Sequence, residues 1–407
     1  MFRILPFLLG LAVTGYAAPP PGGPAPRNLF AGQLGKPEVE ITAKLDAAWR
    51  QLFYGDNDNQ RVYYPVGADM AYIANVGSQD VRSEGMSYGM MIAVQLDHRD
   101  EFNRLWKWAH VHMYHSTGPR AGYFAWQCRF DGTQMDPGSA SDGEEWFAMA
   151  LLFASHRWGN APGESIFNYE REAQALLRAM LHKPADAMGT AIFDRAQKQV
   201  VFAPTPEASQ LTDPSYHLPH FYTLWAQWAD DSADRAFWSA AAAESRTFFI
   251  RTAHPVTGLM PEYAHFDGQP CADGRFGAGK GDFRYDAWRT LAHVALDHAW
   301  GSGDPWQVER SNRVLRFLTA QGPRYADQFS LDGHPLGENH SPGIVAMAAV
   351  AGLAADPDLA RPFVQALWDA PIPSGQWRYY NGLLHFLAVL QVSGRFQIFP
   401  PVPPAAP

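Results

Sequence analysis

Apolar side chains recur at spacings of three and four in about twelve windows, near 37–53, 83–97, 99–116, 143–158, 167–182, 216–229, 233–252, 286–300, 303–320, 341–355, 357–369 and 377–393. That spacing gathers them on one face of a helix, so helices are predicted in all of these windows and strands only as short pieces. Ser141, followed three residues later by Glu144, has the pattern of a capping box that starts the fourth helix, and Ser83 or Asp286 is placed to start others in the same way. Longer connections, at about 54–82, 117–141, 183–215, 253–285 and 321–340, fall between pairs of helices. Long loops on a rigid scaffold are where sites gather. Periodicity alone gives a large all-α domain, and twelve helices with such loops suggest a double helical barrel.

The two ends of the chain read differently. Met1 and Arg3 precede an apolar stretch, Ile4 to Val13, and then the small residues Gly15, Ala17 and Ala18. This is the order of a secretory leader, with cleavage expected after Ala17, so residues 1–17 are read as a signal peptide. Residues 18–27 are a Pro/Gly linker and 400–407 a Pro-rich tail, which leaves one domain from 28 to 399. No later apolar run approaches the roughly 18 residues that a membrane helix needs. The mature protein is expected to be exported, to the periplasm or the exterior.

Composition narrows the partners. The net charge is −9 and no cluster of Lys or Arg is present to neutralise phosphates, which argues against nucleic acid. A neutral substrate fits better. The chain holds 14 Trp, whose flat faces suit sugar rings, although most aromatics in a chain of this size are core. Cys128 and Cys271 are the only cysteines, so a disulfide framework is excluded and two free thiols are expected.

Hydrolysis of a glycosidic bond with inversion needs one carboxylic acid to protonate the leaving oxygen and one carboxylate to activate water, about 6.5–9.5 Å apart. Glu84, in the run DVRSEGMSYGMM, opens a helix whose following residues are small or apolar. A carboxylate there interacts favourably with the helix dipole, so a structural role is the ordinary explanation for it. As a general acid Glu84 must stay protonated near neutrality, which requires burial and a second carboxylate nearby. Asp286, in RYDAWR, also stands at a helix start, and there the dipole favours the ionised form that a general base requires. Asp142, in SDGEEW, fits a helix cap equally well.

Taken together, the runs DVRSEGMSYGMM, AGYFAWQC, SDGEEWFAMALLFASHRWG, DPSYHLPHFY, RYDAWR and RYYNGLLHFLAVL resemble glycoside hydrolase family 8, over about residues 38 to 399. More narrowly they are similar to the reducing-end xylose-releasing exo-oligoxylanases of that family. The resemblance implies an all-α, single-domain (α/α)6 barrel with a cleft at one end and an inverting mechanism without metal or organic cofactor. It makes Glu84 the general acid, Asp286 the general base and Asp142 a third acid that binds the sugar at the cleavage point. Trp126 matches a stacking platform, and Tyr216 and Arg289 match polar residues beside the water and the distorted sugar. His340 matches a histidine on a loop that blocks the cleft and confines attack to chain ends. Its neighbours Asn339 and Ser341 differ from the Leu and Pro of that pattern. The expected partner is a xylo-oligosaccharide, bound by a monomer.

Other patterns carry less. GRFGAGKG, Gly274 to Gly281, nearly writes a phosphate-binding loop, but Gly281 replaces the hydroxyl that holds magnesium and no apolar strand precedes it. His110 and His112 project about 200° apart on a helix, so with His115 they cannot converge on a metal. His217 and His220 share a spacing of three but lack an acidic or thiol third ligand. Two other functions fit parts of the sequence. An endo-acting family member would need residues 334–343 to leave the cleft open. A non-catalytic sugar-binding protein, isomerase or lyase would leave Glu84 and Asp286 as helix caps.

Overall fold

A computed structural model describes residues 27–186 and 189–401. The leader expected at 1–17, nearly all of the linker at 18–27 and most of the tail at 400–407 lie outside the described residues.

Among the described residues there are thirteen α-helices. After the short α1 (Leu29–Leu34), twelve alternate between two environments: α2 (Glu38–Tyr54), α3 (Ser83–Leu96), α4 (Arg99–His112), α5 (Ser141–Trp158), α6 (Tyr169–His182), α7 (Pro219–Trp228), α8 (Ser232–Thr252), α9 (Arg289–Asp297), α10 (Pro305–Ala320), α11 (Pro342–Ala351), α12 (Pro357–Asp369) and α13 (Arg378–Val392). The odd-numbered members from α3 onward are buried nearly all round; in α5 every residue from Ser141 to Ser155 is buried, and in α11 every residue from Gly343 to Ala351. A helix apolar on all faces must be enclosed. The even-numbered helices carry a stripe at spacings of three and four, as in α12, where Ala360, Phe363, Val364 and Leu367 are the buried positions. That is an inner ring of six helices within an outer ring of six.

Closure follows from the contacts. Each inner helix packs on the next, α3 on α5, α7 on α9, α9 on α11, α11 on α13, and α13 back on α3. The α5–α7 step is made by Trp146 against Phe221, with ring centroids 5.1 Å apart. Each inner helix also packs on an outer partner, and α2 serves α13. The fold is the (α/α)6 double barrel, with a principal core running from Leu29 to Phe396.

Inner and outer helices alternate along the chain, so all six inner helices begin at the same end of the closed ring. Inner-to-outer links are short, such as Asp97–His98 between α3 and α4, and every outer-to-inner link but the last, 370–377, is a long loop. These loops are laced together. A five-stranded antiparallel sheet, β1 (Tyr63–Val66), β2 (Met70–Asn75), β3 (Asp80–Arg82), β4 (Gln127–Cys128) and β5 (Gln134–Asp136), joins the α2–α3 and α4–α5 connections. Isolated bridges Thr212↔Ala264 and Phe283↔Phe329 join the next three connections.

Several boundaries differ from the periodic windows. α4 stops at His112 rather than 116, because Tyr114 leaves the helix to bridge Phe124. The window 286–300 divides into a 3-10 turn at Tyr285–Trp288, α9, and a π turn at His298–Ser302 in which Gly301 has φ 109°. The capping box at Ser141 does not form. Ala140 occupies the cap position without a side-chain bond, Ser141 Oγ is buried and unpartnered, and Glu144 Oε1 accepts from the Phe124 N–H at 2.9 Å. Cys128 and Cys271 are free and buried.

Phe386, fully buried on α13, meets Trp49 of α2 edge-on and ties inner to outer ring where the barrel closes. Phe386→Ala is expected to cost about 3–5 kcal/mol, read as a lower urea midpoint with unchanged slope. A loss below 1 kcal/mol would mean that closure rests elsewhere.

Candidate active site

The inner-helix starts deliver the charged groups. β3 runs directly into α3, and its pairing with β4 brings the Ser83 N–H to the Trp126 carbonyl at 3.0 Å. Glu84 is therefore the second residue of α3, as Asp142 is of α5. Glycines let the start of α3 meet its neighbours closely, Gly143 on the side of α5 and Gly85 on the side of α13. A Cβ on Gly143 would sit 2.7 Å from Ser83 Cβ, and one on Gly85 would sit 2.6 Å from the Tyr379 hydroxyl. Neither Ser83 nor Asp286 acts as a side-chain cap; Asp286 lies within the 3-10 turn that feeds α9.

One guanidinium joins these groups. Arg289 is 2 % exposed. Its Nη1 donates to Glu84 Oε2 at 2.9 Å, to Asp142 Oδ2 at 3.0 Å and to the Tyr88 hydroxyl at 2.8 Å, while Nη2 lies 3.2 Å from Asp286 Oδ1. The two terminal nitrogens of a guanidinium are about 2.3 Å apart in a rigid fork. The Glu84 and Asp286 oxygens that face them are thus separated by no more than about 8.5 Å, which puts both carboxyls in one cluster. They meet on one guanidinium instead of lying on opposite sides of the barrel. Their side chains are 15 % and 25 % exposed, so both reach solvent, whereas Asp142 is 4 % exposed.

Burial dominates the electrostatics. It pushes the Glu84 carboxyl up to about 7, against the pull of Arg289 and with the nearby charges of Asp142 and Asp286 adding to the rise. The helix dipole at the start of α3 favours the ionised form, so the net rise means that desolvation outweighs it. Asp142 is raised as well, mainly by burial, with Arg289 opposing. Its second oxygen, Oδ1, has no protein partner. Buried Asp213, on the 183–218 connection, is raised well above the carboxylate range by burial and by the charge of Asp286, and Glu262 is raised by the same two causes.

The remaining expected residues surround this cluster. Tyr216 ends a 3-10 turn, Pro214–Tyr216, that Asp213 caps through the Ser215 N–H, and its ring lies 5.5 Å from the Arg289 guanidinium carbon. Trp126, half-buried, stacks under Arg82 at 5.4 Å. His340 sits on the connection into α11; its Nδ1 bonds the Tyr325 carbonyl at 2.8 Å. That loop is pinned at two further points, by Ser341 Oγ donating to Asp327 Oδ2 and by the Asp327 N–H donating to the Asn339 carbonyl at 2.8 Å. The carbonyl of Asp327 in turn accepts from Trp288 Nε1 at 2.7 Å, so the loop is tied to the turn carrying Asp286. A serine hydroxyl here holds the loop where a proline would stiffen it.

Residue-by-residue reading missed Tyr88, Tyr379 and Asp213, although all three lie in runs quoted above. Tyr379 donates to Glu84 Oε1 at 3.0 Å. Tyr88 had a usable signal, since it follows Glu84 by four on a helix and must share its face. Elsewhere, Lys280 of the glycine-rich run pairs with Glu262 at 2.8 Å. His217 is fixed between Thr212 and Ser245, with bonds of 3.0 and 2.9 Å on its two ring nitrogens.

Comparison with known proteins places this geometry. The family described as Glycosyl hydrolases family 8 matches residues 70–394. The chain is 45% identical over 377 residues to the reducing-end xylose-releasing exo-oligoxylanase Rex8A of Paenibacillus barcinonensis, covering 91% of this chain and 96% of that protein. It superposes on the structure of Rex8A complexed with xylose with a TM-score of 0.88 at 43% identity, over 93% of this chain and 100% of the other. It is similar to the same degree, TM-score 0.88 at 44% identity over 92% and 98% of the two chains, to a xylobiose complex of a family 8 protein from Teredinibacter turnerae.

Removing the shared cation tests the cluster. Arg289→Met is expected to cost about 3–5 kcal/mol near pH 8, because buried carboxylates then lack their countercharge. The penalty should shrink towards about pH 5, since carboxyls whose folded-state pKa is raised take up protons more readily than in the unfolded chain, and that stabilisation is lost as pH rises through the folded value. Urea midpoints at the two pH values measure this. An equal loss at both contradicts it.

Proposed function

The chain belongs to glycosyl hydrolase family 8, and from that premise we propose that it releases xylose from the reducing end of β-1,4-xylo-oligosaccharides with inversion, acting as a monomer outside the cytoplasm. The observation that carries the reading is the single buried guanidinium of Arg289 in contact with Glu84, Asp142 and Asp286. Such an arrangement holds carboxyls of different duty in one cleft without letting them repel one another apart.

Glu84 is the general acid. Its value of about 7 leaves it protonated in slightly acid solution, able to give its proton to the leaving glycosidic oxygen. Asp286 is the base and takes a proton from the attacking water on the opposite face of the sugar. Asp142 binds the sugar at the cleavage point in this reading, and it raises Glu84 by like charge. Trp126 supplies a ring for a xylose unit to lie on, and Tyr216 lines the wall beside the water. His340, on its pinned loop, closes the cleft past the leaving xylose. No step requires a metal or cofactor.

Glu84→Gln and Asp286→Asn are each expected to lower kcat by about 10²–10⁴ while leaving the circular dichroism spectrum unchanged. Near-normal turnover in either variant contradicts the assignment. In the wild type, kcat/KM should fall as pH rises through about 7, where Glu84 loses its proton. Asp142→Asn, which removes a like charge, should move that limb to lower pH. A xylo-oligosaccharide labelled at its reducing end should yield free labelled xylose with little cutting of polymer. Internal cuts in polymer would instead favour an endo-acting enzyme, and an end preference unmoved by His340→Ala would contradict the blocking role of that residue.

A further inference from the structure

Between the inner helices α5 and α7 lies a polar chain that the proposed chemistry does not use. Glu145, next but two to Asp142, is fully buried, as is Tyr222 of α7. Tyr222 Oη lies 2.5 Å from Glu145 Oε1 and 3.1 Å from the backbone carbonyl of Tyr216. The other carboxyl oxygen, Oε2, is buried with no partner. A phenol has one proton to give, so it cannot donate to both neighbours. If Glu145 were ionised, the hydroxyl would turn to it, leaving a buried charge with a single hydrogen bond and taking the donor away from the Tyr216 carbonyl. If Glu145 carries a proton on Oε1, it donates to Tyr222 Oη, and Tyr222 donates onward to Tyr216, so that the carbonyl keeps its donor and the unpartnered Oε2 carries no charge. Burial favours the second state, because a lone buried carboxylate is far costlier than a buried acid that donates.

We propose that Glu145 is a neutral carboxylic acid that positions Tyr216 against the reacting sugar by fixing the direction of the Tyr222 hydroxyl. The chain anchors the 3-10 turn Pro214–Tyr216 at its last residue, opposite the Asp213 cap at its first. Both ends of the turn are then held, and the Tyr216 ring keeps its place over Arg289. Glu145 touches neither substrate nor reacting atoms; it acts through Tyr222. The functional half of this proposal rests on the glycosidase reading above, and its structural half does not.

Two conservative variants test it. Tyr222→Phe removes the relay and is expected to lower kcat at least tenfold with KM changed less than threefold, since Tyr216 is loosened at the point where the sugar distorts. Glu145→Gln keeps a donor, the side-chain amide, at the same place, and should hold kcat within about threefold of wild type. Infrared difference spectra of wild type minus Glu145→Gln, at about pH 8 where an ordinary glutamate is ionised, should show the C=O stretch of one protonated carboxylic acid. The proposal is overturned if that band is missing, if Glu145→Gln is as slow as Tyr222→Phe, or if both variants keep full kcat and lose only stability. The infrared result is independent of turnover. A failure of the Glu84 and Asp286 assignments would therefore leave the protonation result standing.

Discussion

The rest of the site depends on a buried cation serving three carboxylates at once. Charges are expensive to bury, and one guanidinium against several acids leaves an excess of negative charge that desolvation makes costly and protonation relieves. That excess is what separates the acids in function. Glu84, enclosed and beside two like charges, holds its proton to about 7, while Arg289 keeps the group as a whole from being driven apart. A lysine could not do this. It would present a point charge, whereas the planar fork reaches Glu84 and Asp142 with one nitrogen and Asp286 with the other.

The barrel makes the meeting possible. Because inner and outer helices alternate along the chain around a closed ring, the first turns of all six inner helices gather at one end. Glu84, Asp142, Tyr216, Asp286, Arg289, His340 and Tyr379 each lie within a few residues of such a start. The scaffold is rigid because the inner helices are apolar on every face, and the chemistry sits where that rule is suspended. Glu84 is buried deeply enough there to be tuned, yet both it and Asp286 still reach solvent.

Much of this was legible from residue spacing. α12 matches its periodic window at both ends, and most other helices fall within a few residues of theirs. Glu84 carried its own physical demand, burial and a neighbouring carboxylate, and the fold supplies both. What the spacing could not carry was anything fixed by a distant partner. Ser141 and Glu144 have the capping-box pattern, yet the Phe124 N–H claims Glu144 across the connection between α4 and α5. β3 to β5 are two or three residues long, too short for an alternating pattern to register. Tyr379 could not be singled out, since only the fold reveals that its hydroxyl ends on Glu84, whereas Tyr88, one turn after Glu84, could have been. The loop at His340 departs from the family pattern at Asn339 and Ser341, and the Ser341 hydroxyl ties it to Asp327, a partner that only the fold reveals.

The central claim is that Glu84 and Asp286 act from opposite faces of one sugar, with room for a water between that sugar and the base. The direct test is the configuration of the newly formed reducing end in the first minutes of reaction, followed by proton NMR of a β-linked xylo-oligosaccharide before mutarotation sets in. The account predicts that the α-anomer of the shortened chain appears first. Initial appearance of the β-anomer would require a covalent intermediate and carboxyls closer together, and would contradict it.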